Sequence, residues 1–130
     1  MKNLVFVYGS LKKGNWNSCY LEDASYIGKA VTVDKFLMTN VGFPYMIPEE
    51  EVTKELPTLP VVGEVYLIED ELTQKKLDNL EGISSQHYRH KEIFVSVDGE
   101  VLKVTAYVPC DSSTQNYPIA SINEEGCYDF

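Results

Sequence analysis

Apolar residues along this chain cluster in short runs and two-residue alternations, the pattern of a strand-rich domain. Leu4 to Tyr8 is continuously apolar, β-branched and aromatic, and is cut off by Gly9-Ser10, so it predicts a buried strand. Residues 26 to 38 carry strand formers around Gly28 and Asp34, which predicts two strand segments or one bent strand. Val61 to Ile68 predicts a further strand. Ile93, Val95 and Val97 then alternate into Asp98-Gly99, and Leu102, Val104 and Ala106 alternate back out, the signature of a hairpin with a two-residue turn.

Helical spacing occurs in two places. Tyr20, Leu21 and Ala24 share one side of a short helix within residues 15 to 24. Asp70 caps a second helix running to about Leu80, with Glu71 in its first turn, Leu72, Leu77 and Leu80 on one side, and Gly82 ending it. Residues 42 to 48 are aromatic and apolar, but Pro44 and Pro48 argue for a packed loop. The acidic residues 49 to 60, with Pro57 and Pro60, read as a surface excursion, and the last twenty residues have turn composition. Strands interrupted by two helices, with an antiparallel hairpin near the end, predict an α+β domain built on a small mixed barrel.

At 130 residues the chain can bury one sizeable core, so a single domain spanning 1-130 is expected. The formal net charge of -9 repels polyanions and argues against nucleic-acid binding. Cys19, Cys110 and Cys127 are widely spaced and form no C-x-x-C pair, so neither a disulfide framework nor a zinc site is signalled. The apolar run after Met1-Lys2-Asn3 is too short for a signal-peptide core or a membrane span. A cytoplasmic protein without membrane partners is the expectation.

Two places along the chain hold candidate chemistry. The turn Tyr8-Gly9-Ser10-Leu11 can aim successive backbone N–H groups into a cavity and hold a carboxylate without a cationic side chain, although by turn chemistry alone a strand that simply stops at a glycine is the better reading. No Gly-rich phosphate-loop pattern accompanies it. In Leu77-Asp78-Asn79-Leu80-Glu81-Gly82, Asp78 and Glu81 are three apart at a helix end, and either carboxylate is a candidate general base. Asp78 reads more simply as a solvated helix residue or cap partner. Ser10 lacks the G-x-S-x-G frame of an acyl nucleophile, and His87 and His90 lack a metal-binding frame, so the two histidines read as surface or strand-entry residues. Phe43, Tyr45, Tyr66, Tyr88 and Tyr107 offer an aromatic wall for a pocket, most of them with a packing role.

Several of these segments together resemble one family. Tyr8-Gly9-Ser10-Leu11-Lys12-Lys13-Gly14 with Cys19-Tyr20-Leu21, then Gly42-Phe43-Pro44, Gly63-Glu64-Val65-Tyr66, Leu77 to Gly82 and Tyr88-Arg89, is similar in order and spacing to the γ-glutamylcyclotransferase superfamily from residue 4 to about residue 108. The short length and the opening motif look most like its γ-glutamylamine cyclotransferase and AIG2-like branch. The resemblance implies a small mixed, mainly antiparallel β-barrel with flanking α-helices. It also implies a substrate cradle at Tyr8, Gly9, Ser10 and Leu11, a catalytic Glu81 with a raised pKa, and Tyr88 near the pocket. The implied reaction turns a γ-glutamyl amide into 5-oxoproline and a free amine, with no metal and no cofactor and a small molecule as partner. The alternative is a non-catalytic module of the same fold that binds an amino-acid-like metabolite, and a further rival is an interaction protein recruiting a basic partner through residues 49 to 55. Ser121 to Phe130 departs from the usual family ending.

Overall fold

The computed structural model describes residues 3–8, 24–41, 44–80 and 88–129, without the side chains of Asn79, Leu80 and Ser112. Among the described residues seven strands and one α-helix follow in the order β1 (Asn3–Val7), β2 (Ser25–Thr32), β3 (Phe36–Asn40), β4 (Pro44–Pro48), β5 (Val62–Ile68), α1 (Glu71–Leu80), β6 (Tyr88–Val97) and β7 (Glu100–Pro109). Five strands close a barrel in the order β1-β5-β2-β6-β7, while β3 and β4 form a separate two-stranded sheet. All barrel pairings are antiparallel except the closing one, where β7 runs parallel to β1 with Val5 opposite Thr105. The fold is therefore α+β with a mixed, mainly antiparallel barrel. Of the helix expected within residues 15 to 24 only Ala24 is among the described residues.

Local chemistry accounts for the barrel's shape. Asp98 and Gly99 both adopt positive φ, 50° and 82°, the conformation whose twist matches a tight hairpin, and β6 and β7 pair from Val97 opposite Glu100 out to Tyr88 opposite Pro109. In β2 the register against β5 shifts between Tyr26 and Gly28, a bulge that bends the strand near the glycine. Gly63 on β5 has no room for a side chain, because a Cβ there would meet the Phe6 ring and the Val7 carbonyl at 2.4 Å. That close approach lets Phe6, opposite Val65 across the β1–β5 pair, sit fully buried.

Two expectations from the sequence are corrected. Residues 44 to 48 form a fully buried strand, β4, where the sequence suggested a loop. Its prolines lie opposite Asn40 and Phe36, whose N–H groups point away from β4 to the carbonyls of Pro118 and Leu59. Both prolines thus occupy positions where the ladder asks them for no donor. In α1, Leu72 is 61% exposed while Thr73, Gln74 and Leu77 are buried. Leu72 and Leu77 are five residues apart, about 140° around a helix of 3.6 residues per turn, so they cannot share a face.

The acidic excursion is anchored on the barrel. Glu49–Glu51 form a 3-10 turn whose Glu51 pairs with Arg89 and whose Glu50 lies 3.1 Å from Lys91, both bases standing on β6. Val52, Leu56 and Leu59 then pack against the core. After β7, residues 118–120 run along β3 through Asn40 N–H to Pro118 and Ala120 N–H to Met38, and Tyr128 is fully buried between Pro60 and Val62.

Candidate active site

The ends of several elements meet at one rim of the barrel. Tyr8 follows the last residue of β1, Tyr88 opens β6, and Pro109 closes β7 opposite Tyr88. Because β1 and β7 are parallel with Val5 level with Thr105, Tyr8 emerges beside the last residues of β7. The Tyr8 hydroxyl donates to the main-chain carbonyl of Tyr107 at 2.6 Å.

Tyr107 continues this connection through its side chain. Its hydroxyl donates to Asp78 Oδ1 at 2.7 Å, and the same oxygen takes Gln74 Nε2 at 3.0 Å and lies 2.9 Å from His90 Nε2. Gln74 Nε2 also reaches the Tyr107 hydroxyl at 3.0 Å, while Gln74 Oε1 accepts from Asn3 Nδ2 at 2.9 Å. The sequence dictates part of this: Gln74 and Asp78 are four apart on α1 and so stand one above the other. The strand register supplies the rest, since His90 and Tyr107 are directly opposed on β6 and β7, their rings edge to face at 5.2 Å. Burial works against the charged form of Asp78, yet the hydrogen bonds from Tyr107, His90 and Gln74, with the positive charge His90 can carry, outweigh it and hold the carboxyl below the usual aspartate range.

Tyr88 is buried at the same rim with its hydroxyl donating to the Pro44 carbonyl at 3.3 Å. Its ring stacks on Tyr45 at 5.7 Å, and Tyr45 stacks in turn on Tyr117 at 5.8 Å. Tyr66 packs edge to face on Tyr26, and burial, then the negative charge of Glu64, push its phenol up to about 12. These contacts give Tyr45, Tyr66 and Tyr88 packing roles. Tyr88 is in addition a rim residue.

Of the residues singled out by sequence, Tyr8 and Tyr88 are therefore brought to one rim, each bonded to a different backbone carbonyl. Gly9, Ser10, Leu11 and Glu81 lie outside the described residues, as do Phe43 and His87. Asp78 is more than the solvated helix residue that the sequence suggested, because its side chain is only 28% exposed and three elements converge on it. Its spacing to Gln74 was readable, but its strand partners stand 12 and 29 residues away and left no local signal.

Among the described residues no group of three or more His, Cys, Asp or Glu is arranged to hold a metal ion, and no helix is long and apolar enough to cross a membrane. Two surface grooves lie away from the Tyr88 rim: one of about 350 Å³ at the β1–β7 seam, lined by Asn3, Glu92, Lys103 and Thr105 among others, and one of about 240 Å³ beside the 3-10 turn.

Comparison with known proteins identifies the family. The family described as "Gamma-glutamyl cyclotransferase, AIG2-like" matches residues 5–130, including the C-terminal tail where the motif resemblance stopped short. The Methanocaldococcus jannaschii protein named "Putative gamma-glutamylcyclotransferase MJ1514" is 41% identical over 95 residues, 72% of each chain. Among solved structures, an AIG2-like protein of Mus musculus superposes with a TM-score of 0.71 at 22% identity, over 99% of this chain and 95% of that one, a likeness of fold. YkqA of Bacillus subtilis superposes with a TM-score of 0.70 at 27% identity over 98% of this chain, which spans only 40% of YkqA. With a match that runs through both motif regions and reaches all five barrel strands, the chain belongs to the γ-glutamyl cyclotransferase, AIG2-like family.

Proposed function

We propose that this chain is a cyclotransferase that converts a γ-glutamyl amide, most specifically a γ-glutamylamine, into 5-oxoproline and a free amine. The observation that carries this reading is the family match over residues 5–130, which takes in both the Tyr8-Gly9-Ser10-Leu11 turn and the Leu77 to Gly82 segment. The rim geometry supports it, since Tyr8 and the helix that precedes Glu81 are tied to the same residue, Tyr107.

The substrate contains its own nucleophile. Its α-amine attacks the γ-carbonyl carbon, a new C–N bond closes a five-membered lactam, and the C–N bond to the departing amine breaks. Protons lost from the α-ammonium end on that amine, and Glu81 carries them as general base and then general acid. Backbone N–H groups of Gly9, Ser10 and Leu11 hold the glutamyl α-carboxylate or the developing oxyanion, which needs no cationic side chain. Holding the chain folded supplies much of the rate, because intramolecular attack already removes the entropy of bringing two molecules together. Tyr88 borders the pocket.

The test is a panel of γ-glutamyl amines, including ε-(γ-glutamyl)lysine, incubated with wild type and Glu81→Gln, with 5-oxoproline quantified by mass spectrometry. Wild type forms product and Glu81→Gln loses about 10²- to 10⁴-fold of the rate, the size expected for a missing proton-transfer group. Equal rates from both proteins would remove Glu81 from the chemistry, and no product from wild type on any amine would overturn the reading.

A further inference from the structure

We propose that Asp78 and Tyr107 are positioning residues of this reaction, together fixing the end of α1 relative to the strand that leads into the Tyr8-Gly9-Ser10-Leu11 turn; the inference rests on the cyclotransferase reading. Tyr107 is bonded at both ends: its main-chain carbonyl receives the Tyr8 hydroxyl and its own hydroxyl is received by Asp78. One residue of β7 thereby joins β1 to α1. Asp78 is three residues before Glu81 in the sequence, and α1 runs to Leu80.

The helix depends on these bonds for its orientation. Its buried positions are Thr73, Gln74 and Leu77, so among the described side chains a single large apolar residue seats it, while Leu72 faces solvent. Apolar contact is non-directional and leaves a helix free to slide or turn by fractions of an ångström. Hydrogen bonds lose strength steeply when misaligned, and here they come from three sides onto one oxygen: Gln74 from α1 itself, His90 from β6 and Tyr107 from β7. A carboxylate at this place carries a desolvation cost that a neutral side chain avoids, and its return is a fixed geometry. Proton transfer between a glutamate and a reacting nitrogen needs that fixity, since a displacement of about 1 Å can cost about 10²-fold in rate.

Wild type, Tyr107→Phe, Asp78→Asn and the double variant are compared for kcat and KM in the 5-oxoproline assay on whichever γ-glutamyl amine wild type turns over, with Tm measured on each. Each single change lowers kcat by about 10- to 100-fold with KM moving less than about 3-fold, and the double variant is no slower than the slower single, because Tyr107→Phe deletes and Asp78→Asn weakens the same bond. Leu77→Val serves as a control that loosens the same helix through its apolar contact: at a matched loss of Tm it leaves kcat far less affected. Should Asp78→Asn not fold, Asp78→Glu keeps the charge and shifts the carboxylate by one methylene, with the same loss of kcat expected. Wild-type kcat in the single variants, a loss confined to KM, or a kcat loss that merely follows Tm as in Leu77→Val would overturn the inference while leaving the cyclotransferase reading intact. Absence of product from wild type would overturn that reading first, and this inference with it.

Discussion

Asp78 has two measurable consequences for stability, because its charge state is linked to folding. Its carboxyl is held below the ordinary aspartate value of about 3.9, despite burial, by Tyr107, His90 and Gln74. A depressed folded value means that the unfolded chain binds the proton more readily. The stabilisation is therefore fully present above the unfolded value and is lost as pH falls through the folded one. Asp78→Asn is expected to lower Tm by a few degrees near neutral pH. The gap between wild type and variant then narrows as the pH is taken down from about 4. Calorimetry at a series of pH values reads this directly, and a gap that stays constant down to the acid limit would show that the charge contributes nothing to folding. None of this could be read from Asp78-Asn79-Leu80-Glu81 alone, where the carboxylate looks like any other on a polar helix face. The information sits in the register of β6 against β7, which sets His90 opposite Tyr107 and aims both at the helix.

Among the elements, legibility followed how local the determining chemistry is. The β6–β7 hairpin could be read because Asp98-Gly99 supplies both positive-φ residues of its turn within two positions. The strand β4 could not, because its prolines are tolerated only through bonds that Asn40 and Phe36 make to Pro118 and Leu59, far along the chain. For α1 the boundaries were readable and the phase was not: three leucines suggested a stripe, yet the buried face is set by Thr73, Gln74 and Leu77. The phase has a direct test by paired substitution and urea unfolding. Leu77→Ala removes a fully buried side chain and is expected to cost about 2–5 kcal/mol. Leu72→Ala, at a position 61% exposed, is expected to stay within about 0.5 kcal/mol. Comparable losses from both would restore the leucine stripe as the seated face. As for the candidate site, the Tyr8-Gly9-Ser10-Leu11 and Leu77 to Gly82 segments were singled out through family resemblance, since a glycine-ended strand and a helix-ending carboxylate are each too common to signal a site by themselves.

Taken whole, the molecule has a barrel and a second, two-stranded sheet that share no strand, and the C-terminal segment holds them together. Residues 118–120 bond along β3, Thr39 Oγ1 donates to the Thr114 carbonyl at 2.9 Å, and Gln115 Oε1 accepts from Thr53 N–H at 2.9 Å. Tyr128 completes the attachment at the barrel. Its N–H donates to Pro60 and its carbonyl accepts from Val62 at the start of β5, while its hydroxyl donates to the Pro57 carbonyl. Turn-like composition hid this role, because a segment that bonds through its backbone needs no hydrophobic period. The Tyr128 side chain is completely buried and belongs to the core cluster. Tyr128→Ala is accordingly expected to cost about 3–5 kcal/mol by opening a large cavity, whereas Tyr128→Phe keeps the ring and removes only the hydroxyl's bonds to the Pro57 carbonyl and the Met38 backbone, and is expected to cost about 1–3 kcal/mol. Denaturant unfolding of the two variants separates the contributions. If the tail is a structural part of the domain, as the family match through residue 130 implies, the alanine variant unfolds at much lower denaturant in one cooperative transition. If instead Tyr128→Ala unfolds like wild type, the tail merely lies on the barrel, and the β3–β4 sheet must be held by its contact with β7 and the Tyr88–Tyr45–Tyr117 stack.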